Sequence, residues 1–291
     1  MFIDPVTFAN VFISGVLTGL IYGLMALGLS VIFGVARVVN FAHGELMVLA
    51  MYLAALLFAS AGFDPFLAVV PLALLFFVLG YVFQRVVLQA FITRPDYMQF
   101  ILLLAVAVIV TNLLLMLFGP DARSVRLDYL LESIELGGLV IDRGKLYGAV
   151  VALGAAAALF AFFRLTLPGT AIRACADNWL GAKVTGLNVQ KLYALAFGLG
   201  SACVAVAGSM MILLVDVTPG LGPSYTLLAF VIVIVGGLGS MNGALAAGVL
   251  IGVSESLGGL FVAPSLKSMF SFAVLIIVLL FRPRGLLGGR S

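Results

Sequence analysis

Residues 6–33 read VTFANVFISGVLTGLIYGLMALGLSVIF, with no charged side chain anywhere in the run. A bilayer core takes about 20 apolar helical residues to cross. Inside lipid every backbone N–H and C=O must find an internal partner, which a helix provides within one segment. The stretch therefore reads as a crossing helix with residues to spare. It is too long for a signal-peptide core and is preceded by Asp4 where a signal peptide has a basic region, so it is expected to stay in the mature protein. Gly15, Gly19 and Gly23 recur every fourth position along it and form a smooth stripe for a close-packed neighbouring helix in the same chain.

Working outward from this run, eight further apolar segments follow, at 43–61, 65–91, 98–118, 146–165, 192–214, 224–236, 241–259 and 266–281. Hydrophobic residues make up 64% of the 291 positions and charged residues 9%, against about a quarter charged in soluble domains. The fold class expected is all-α, a polytopic membrane bundle of eight or nine transmembrane or re-entrant helices forming one domain over 1–291. The segments at 224–236 and 241–259 are short and joined by Gly236-Gly237-Leu238-Gly239-Ser240-Met241-Asn242-Gly243, so they read either as two spans or as one re-entrant, broken pair.

Basic residues near helix ends are retained on the cytoplasmic side. With the N-terminus outside, Arg37, Arg85, Arg94, Arg164, Arg173, Lys183, Lys191, Arg282, Arg284 and Arg290 fall inside, and Arg123, Arg126, Arg143, Lys145 and Lys267 outside. This puts the C-terminus in the cytoplasm, 119–145 outside as a charged loop with a hairpin around Gly137-Gly138, and 166–191 inside as a helical loop. The net charge of +3 is scattered over helix ends and forms no stripe for nucleic acid. Cys175 and Cys203 make no disulfide or metal framework, and no metal site is expected.

Two breaks carry polar groups. Asn40, His43 and Glu45 cluster where the second apolar run begins. Such groups either line a water-filled path beside a discontinuous helix or cap the helix at the headgroups. The second break contains Gly236, Gly237 and Asn242, with Glu255 further along the next helix. Gly-interrupted segments in both halves of a chain are the trace of an internal duplication around a pathway.

The inner loop reads PGTAIRACADNWLGAKVTGLN from Pro168 to Asn188. Thr170 is placed to cap a short helix and Gly186 to end it. Arg173 and Asp177 lie one turn apart for pairing, with Ile172, Cys175, Ala176 and Trp179 on another face. A helix tied at both ends to membrane helices suits docking against a partner; the other reading is an interfacial helix on the headgroups.

These stretches resemble the permease subunits of ATP-binding-cassette importers, in particular the first, shorter subunit type of the branched-chain amino-acid group. The resemblance runs from Gly15 to Gly285 and rests on Val39-Asn40-Phe41-Ala42-His43-Gly44-Glu45, on Arg173-Ala174 with Asn178, Ala182 and Gly186-Leu187-Asn188, and on Val235-Gly236-Gly237-Leu238-Gly239-Ser240. It implies a multi-pass protein of the bacterial inner membrane, which moves branched-chain amino acids, or related amino acids and amides, by alternating access. Its partners would be a second permease subunit, with a heterodimer favoured, two cytoplasmic ATP-binding subunits and an extracytoplasmic solute-binding protein. ATP would be used by the partner subunits; this chain would bind no cofactor and catalyse no reaction. In agreement, no G-x-x-x-x-G-K-[ST] phosphate loop occurs in the sequence.

The resemblance further makes 166–191 the coupling loop, carried by Arg173, Ala174, Asp177, Asn178, Ala182, Gly186, Leu187 and Asn188. The Glu-Ala-Ala that opens the importer signature elsewhere is replaced here by Ala174-Cys175-Ala176-Asp177. Asn40, His43, Glu45, Gly236, Gly237 and Asn242 are the candidate pathway residues. A pathway fed by a binding protein need not hold its solute tightly, so no tight amino-acid pocket is expected.

Two other readings compete. A stand-alone secondary transporter or channel would use the same broken helices, but needs coupling charges in the bundle, where Glu45 and Glu255 are the candidates. An intramembrane hydrolase would need Ser240 and the sole histidine, His43, within hydrogen-bond reach.

Overall fold

The computed structural model describes residues 4–92, 94–130, 132–262 and 266–288, so Arg290 lies outside the described residues. In chain order its helices are α1 (Pro5–Ala36), α2 (His43–Ala61), α3 (Pro65–Val86), α4 (Asp96–Phe118), α5 (Arg143–Leu165), α6 (Leu167–Asp177), α7 (Trp179–Val184), α8 (Val189–Met211), α9 (Gly222–Gly236), α10 (Met241–Phe261) and α11 (Lys267–Phe281). Two strands, β1 (Ser133–Leu136) and β2 (Leu139–Asp142), precede α5. Among the described residues eight helical segments are long and apolar enough to cross a membrane, and α11 is a shorter apolar helix. The chain is thus an all-α, multi-pass membrane bundle, and its nine apolar helices answer to the nine apolar runs.

Local chemistry sets the helix ends. Asp4 and Asp64 accept hydrogen bonds from Val6 N and Phe66 N, with Pro5 and Pro65 at the first helical position where no N–H is needed. Gly137 and Gly138 both take positive φ (58° and 91°), the backbone of a two-residue hairpin turn, and pair Leu136 with Leu139. The hairpin is pinned to the start of α1 by Val140 N, which donates to Asn10 Oδ1 at 3.0 Å. The loop is further held by a two-way backbone bridge between Arg123 and Val217 and by the Tyr129 hydroxyl, which donates to Asp64 Oδ2. The Arg143–Glu132 ion pair, 2.8 Å, is exposed and contributes at most about 1 kcal/mol.

The glycine stripe of α1 does pack within the chain. A Cβ on Gly15 would come within 2.8 Å of Val253 Cα, and one on Gly19 within 2.7 Å of Val249 Cα, so α1 and α10 run antiparallel in backbone contact. The pairing of α3 with α8 is built alike, with Gly198 against Phe77 O and Gly80 against Phe197 O. At the centre α1 crosses α8. There a Cβ on Gly28 would lie 2.5 Å from Gly200 O, and one on Gly200 2.6 Å from Gly28 O.

These relations repeat. α1 packs on α10 as α8 packs on α3, and each of α1 and α8 is followed by a non-helical stretch, 37–42 or 212–218, that leads into a helix starting inside the bundle. α1 and α8 are antiparallel, since Gly148 meets Ile21 beside Met210 while Ile32 meets Gly200. The pattern is an inverted repeat of α1–α4 and α8–α11. The break matching residues 37–42 is therefore the one before α9, and not Gly236–Gly243, as the glycines alone indicate. Gly236–Gly243 is instead a tight turn between two separate antiparallel helices, with Gly237 and Gly239 at φ 106° and 79°.

The 166–191 loop also departs from the expected single helix. Pro168 sits in the first turn of α6, and Thr166, not Thr170, is the cap, its Oγ1 accepting from Gly169 N at 3.1 Å. Asn178 then breaks the helix, because its Oδ1 accepts from Gly181 N at 2.8 Å and starts α7. Trp179 consequently leaves the face of Ile172 and Cys175 and is exposed. Arg173 and Asp177 form no ion pair.

Candidate functional site

The polar break after α1 is built inside the bundle. Arg37 takes a left-handed conformation (φ 54°) and closes α1 by donating its N–H to Phe33 O. The chain then turns back, and His43, the first residue of α2, lies fully buried with Nε2 2.9 Å from Met25 O. Met25 precedes the end of α1 by eleven residues, about 16 Å at the α-helical rise. His43 and Glu45 are therefore interior groups and do not cap α2 at a headgroup surface.

Glu45 completes a knot with the first turn of α9. Thr226 Oγ1 accepts from Gly44 N at 2.9 Å and donates to Glu45 Oε2 at 3.0 Å. The carboxyl lies against the start of α9, where a Cβ on Gly222 would be 2.9 Å from Glu45 Cδ. Gly44 has no room for a side chain, because a Cβ would overlap Gly222 O and Thr226. The N-terminal ends of α2 and α9, each carrying partial positive charge, thus converge on one carboxylate.

Asn40 Oδ1 accepts from Ala42 N at 3.1 Å, while its Nδ2, His43 Nδ1 and Ser201 Oγ have no hydrogen-bond partner among the described residues. Asn40 and Ser201 border a mostly apolar cavity of about 200 Å³ between α3, α4 and α8. Leaving such atoms unpaired costs about 1–3 kcal/mol each.

The other candidate pathway residues lie elsewhere. Gly236 ends α9, ten residues beyond Thr226, and packs on Gly243; Gly237 packs on Gly288. Here the tail folds under α9, with Leu286 N donating to Val235 O at 2.8 Å and Leu287 N to Gly236 O at 3.0 Å. Asn242 is exposed and lines a cavity of about 580 Å³ with Arg164, Arg173, Asp177 and Ser240. Ser240 caps α10 by accepting from Gly243 N, so Ser240 and His43 stand at opposite ends of α9 and form no nucleophile–base pair.

The 166–191 loop presents a capped, exposed tip. α7 ends in a Schellman turn: Gly186, at φ 86°, donates to Lys183 O at 3.1 Å and Leu187 N donates to Ala182 O at 3.0 Å. Asn188 Oδ1 accepts from Lys191 N and caps α8. Arg173, Ala174, Asp177, Asn178, Gly186 and Asn188 are exposed, Leu187 is half-buried, and Ala182 is buried with Ile172 and Cys175 in the seat of the loop. Burial pushes the Cys175 thiol above its ordinary pKa. Trp179, Leu180 and Val184 stand exposed beside the polar tip, an apolar patch of the kind that marks an interaction surface. A second cavity, about 810 Å³, opens between the loop and Arg37, Asp96 and Gln99.

Thr226 is a site residue that the sequence does not announce. One hydroxyl in an apolar helix gives little signal, and only the fold brings it to Glu45.

A family model described as "Branched-chain amino acid transport system / permease component" matches residues 11–279. The chain is 29% identical to the high-affinity branched-chain amino acid transport system permease protein BraD of Pseudomonas aeruginosa, over 95% of this chain and 94% of that protein. It is 28% identical to the permease protein LivH of the corresponding Escherichia coli system, over 94% of each chain. No solved structure gives a significant match.

Proposed function

The chain belongs to the family of branched-chain amino acid transport system permease components, and on that premise we propose that it forms one half of the membrane pathway of an ATP-binding-cassette importer for branched-chain or related amino acids. The observation that carries the proposal is the family match over 11–279, together with a capped, exposed loop at one end of the bundle. The whole chain, 1–291, serves as one permease domain of the bacterial inner membrane. The N-terminus and the 119–145 loop face outward; the C-terminus and the 166–191 loop face the cytoplasm.

In this reading α6 and α7 dock into the ATP-binding subunits, which bind and use the ATP. Arg173, Ala174, Asp177, Asn178, Gly186, Leu187 and Asn188 make the contact surface, and Ala182 seats it. Asn40, His43 and Glu45 border the pathway at the paired helix breaks, with Asn40 Nδ2 and His43 Nδ1 available to a changing partner as the bundle rocks. Gly236, Gly237 and Asn242 set the turn that moves with the loop. A second permease subunit completes the path, and an extracytoplasmic binding protein delivers the solute.

The test is to tag the chain in its host, extract it in mild detergent, and identify copurifying proteins by mass spectrometry. Recovery of ATP-binding subunits and a second permease is expected. Recovery of this chain alone, in a detergent that keeps a known importer intact, would replace the proposal with a self-sufficient transporter.

A further inference from the structure

A cavity of about 530 Å³ opens between α1, β2, the start of α5 and the end of α10, at the opposite end of the bundle from the α6–α7 loop. Its polar groups come from four distant parts of the chain. Lys145 Nζ donates to Ser14 Oγ at 2.7 Å. Glu255, half-buried on α10, accepts from Ser271 Oγ of α11, and the Tyr22 hydroxyl of α1 stands beside the same carboxylate. Lys267 lies at the mouth, its aliphatic stem along Gly259.

One cavity thus holds charges of both signs, Lys145, Lys267, Glu255 and Asp142, the last of which caps α5 by accepting from Lys145 N. Among the described residues neither Lys145, Lys267 nor Glu255 is within ion-pair distance of an opposite charge. Ionisable groups inside a membrane bundle are costly to keep and pair with one another or mark a solute path. Here Lys145 and Glu255 each hydrogen-bond a neutral hydroxyl, and Lys267 acts on Glu255 only through space. Leu17, Val140 and Leu260 supply apolar wall between them. The volume falls in the range of about 300–1,000 Å³ typical of small-molecule sites.

We propose that this cavity is an outer transit site for an apolar α-amino acid, which Lys145 engages by its carboxylate and Glu255 by its ammonium group. The inference rests on the importer reading and adds to it a place and a recognition chemistry that the breaks near Asn40 and Asn242 do not have. A zwitterion brings both charges at once and leaves its side chain for the apolar wall. The cavity stays open at its mouth, which suits passage rather than storage.

The experiment is leucine uptake by cells that carry the complete transporter as their sole leucine importer, compared with cells that lack only this chain. If loss of the chain leaves uptake unchanged, the importer reading itself fails. If loss abolishes uptake and Glu255→Gln restores it fully, the importer reading stands and the transit site falls. The expected result is that Glu255→Gln reaches normal membrane abundance but transports about thirtyfold more slowly or worse, the effect of removing one member of a buried charge pairing. Glu255→Asp should recover part of the rate. Should the Gln variant fail to accumulate, Thr18→Cys on the cavity wall is treated with a membrane-impermeant cationic thiol reagent. The native Cys175 and Cys203 of this chain are buried, and the unsubstituted transporter treated alike sets the background from the other subunits. Block of uptake after modification is expected, and undiminished uptake after complete modification would overturn the proposal.

Discussion

Thr226 Oγ1 donates to Glu45 Oε2 at 3.0 Å across the meeting point of α2 and α9, and the same oxygen accepts from Gly44 N at 2.9 Å. One side chain therefore satisfies two buried polar groups. Thr226→Val keeps the shape and removes both bonds, at a cost of about 1–3 kcal/mol for each orphaned group. Thermal unfolding of the purified protein in detergent should move to lower temperature in the Val variant, while Thr226→Ser stays near wild type. Equal stability of the two would show that the knot does not hold the helices together.

The α1–α10 contact predicts a sharp contrast between two glycines. Gly252 has Gly15 O and Gly19 Cα where its Cβ would be, whereas Gly154 on α5 has nothing within 4 Å. Gly252→Leu should force the helices apart, costing about 1–3 kcal/mol or more, and appear as aggregation on size exclusion in detergent. Gly154→Leu should elute as wild type.

Gly186 separates backbone strain from contact. Its left-handed φ penalises a Cβ residue by about 1–2 kcal/mol, less for Asn, yet a Cβ there would meet no atom within 4 Å. On the proposed docking, Gly186→Asn should insert normally and weaken copurification of ATP-binding subunits modestly, and Gly186→Trp should abolish it. Undiminished copurification of the Trp variant would remove Gly186 from the contact surface.

Tyr129 predicts an alkaline transition of the 119–145 loop. Burial and the hydrogen bond to Asp64 raise its hydroxyl above the ordinary value of 10.0. The folded state thus holds this proton more tightly than the unfolded chain. The stabilisation is fully present below pH 10 and is lost as pH rises through the elevated folded pKa. The ultraviolet tyrosinate titration of wild type minus Tyr129→Phe isolates this group, and Asp64→Asn should bring its midpoint down.

Much of the fold is legible because its causes are local. Run length marks the helices, Gly137-Gly138 the hairpin, and Gly186 the end of α7. Asn178 misleads because a 3.6-residue period treats it as helix interior, while its short side chain competes for a backbone N–H and starts a new helix. The site is less legible because its partners are remote. Nothing near His43 announces Met25, and nothing near Glu255 announces Tyr22 or Lys145; both groupings exist only after the bundle closes. The glycines of the second half mark a turn as readily as a broken span, so glycine spacing alone matches the wrong break with residues 37–42.

The convergence of α2 and α9 on Glu45 has a consequence for cargo. Two helix ends that would otherwise draw in an anion from outside already face the protein's own carboxylate, an internal counter-ion supplied by the first turn of α2. The meeting point of α2 and α9 therefore offers an incoming anion no electrostatic well, and on the proposed importer reading a neutral zwitterion passing it would meet little there that could trap it.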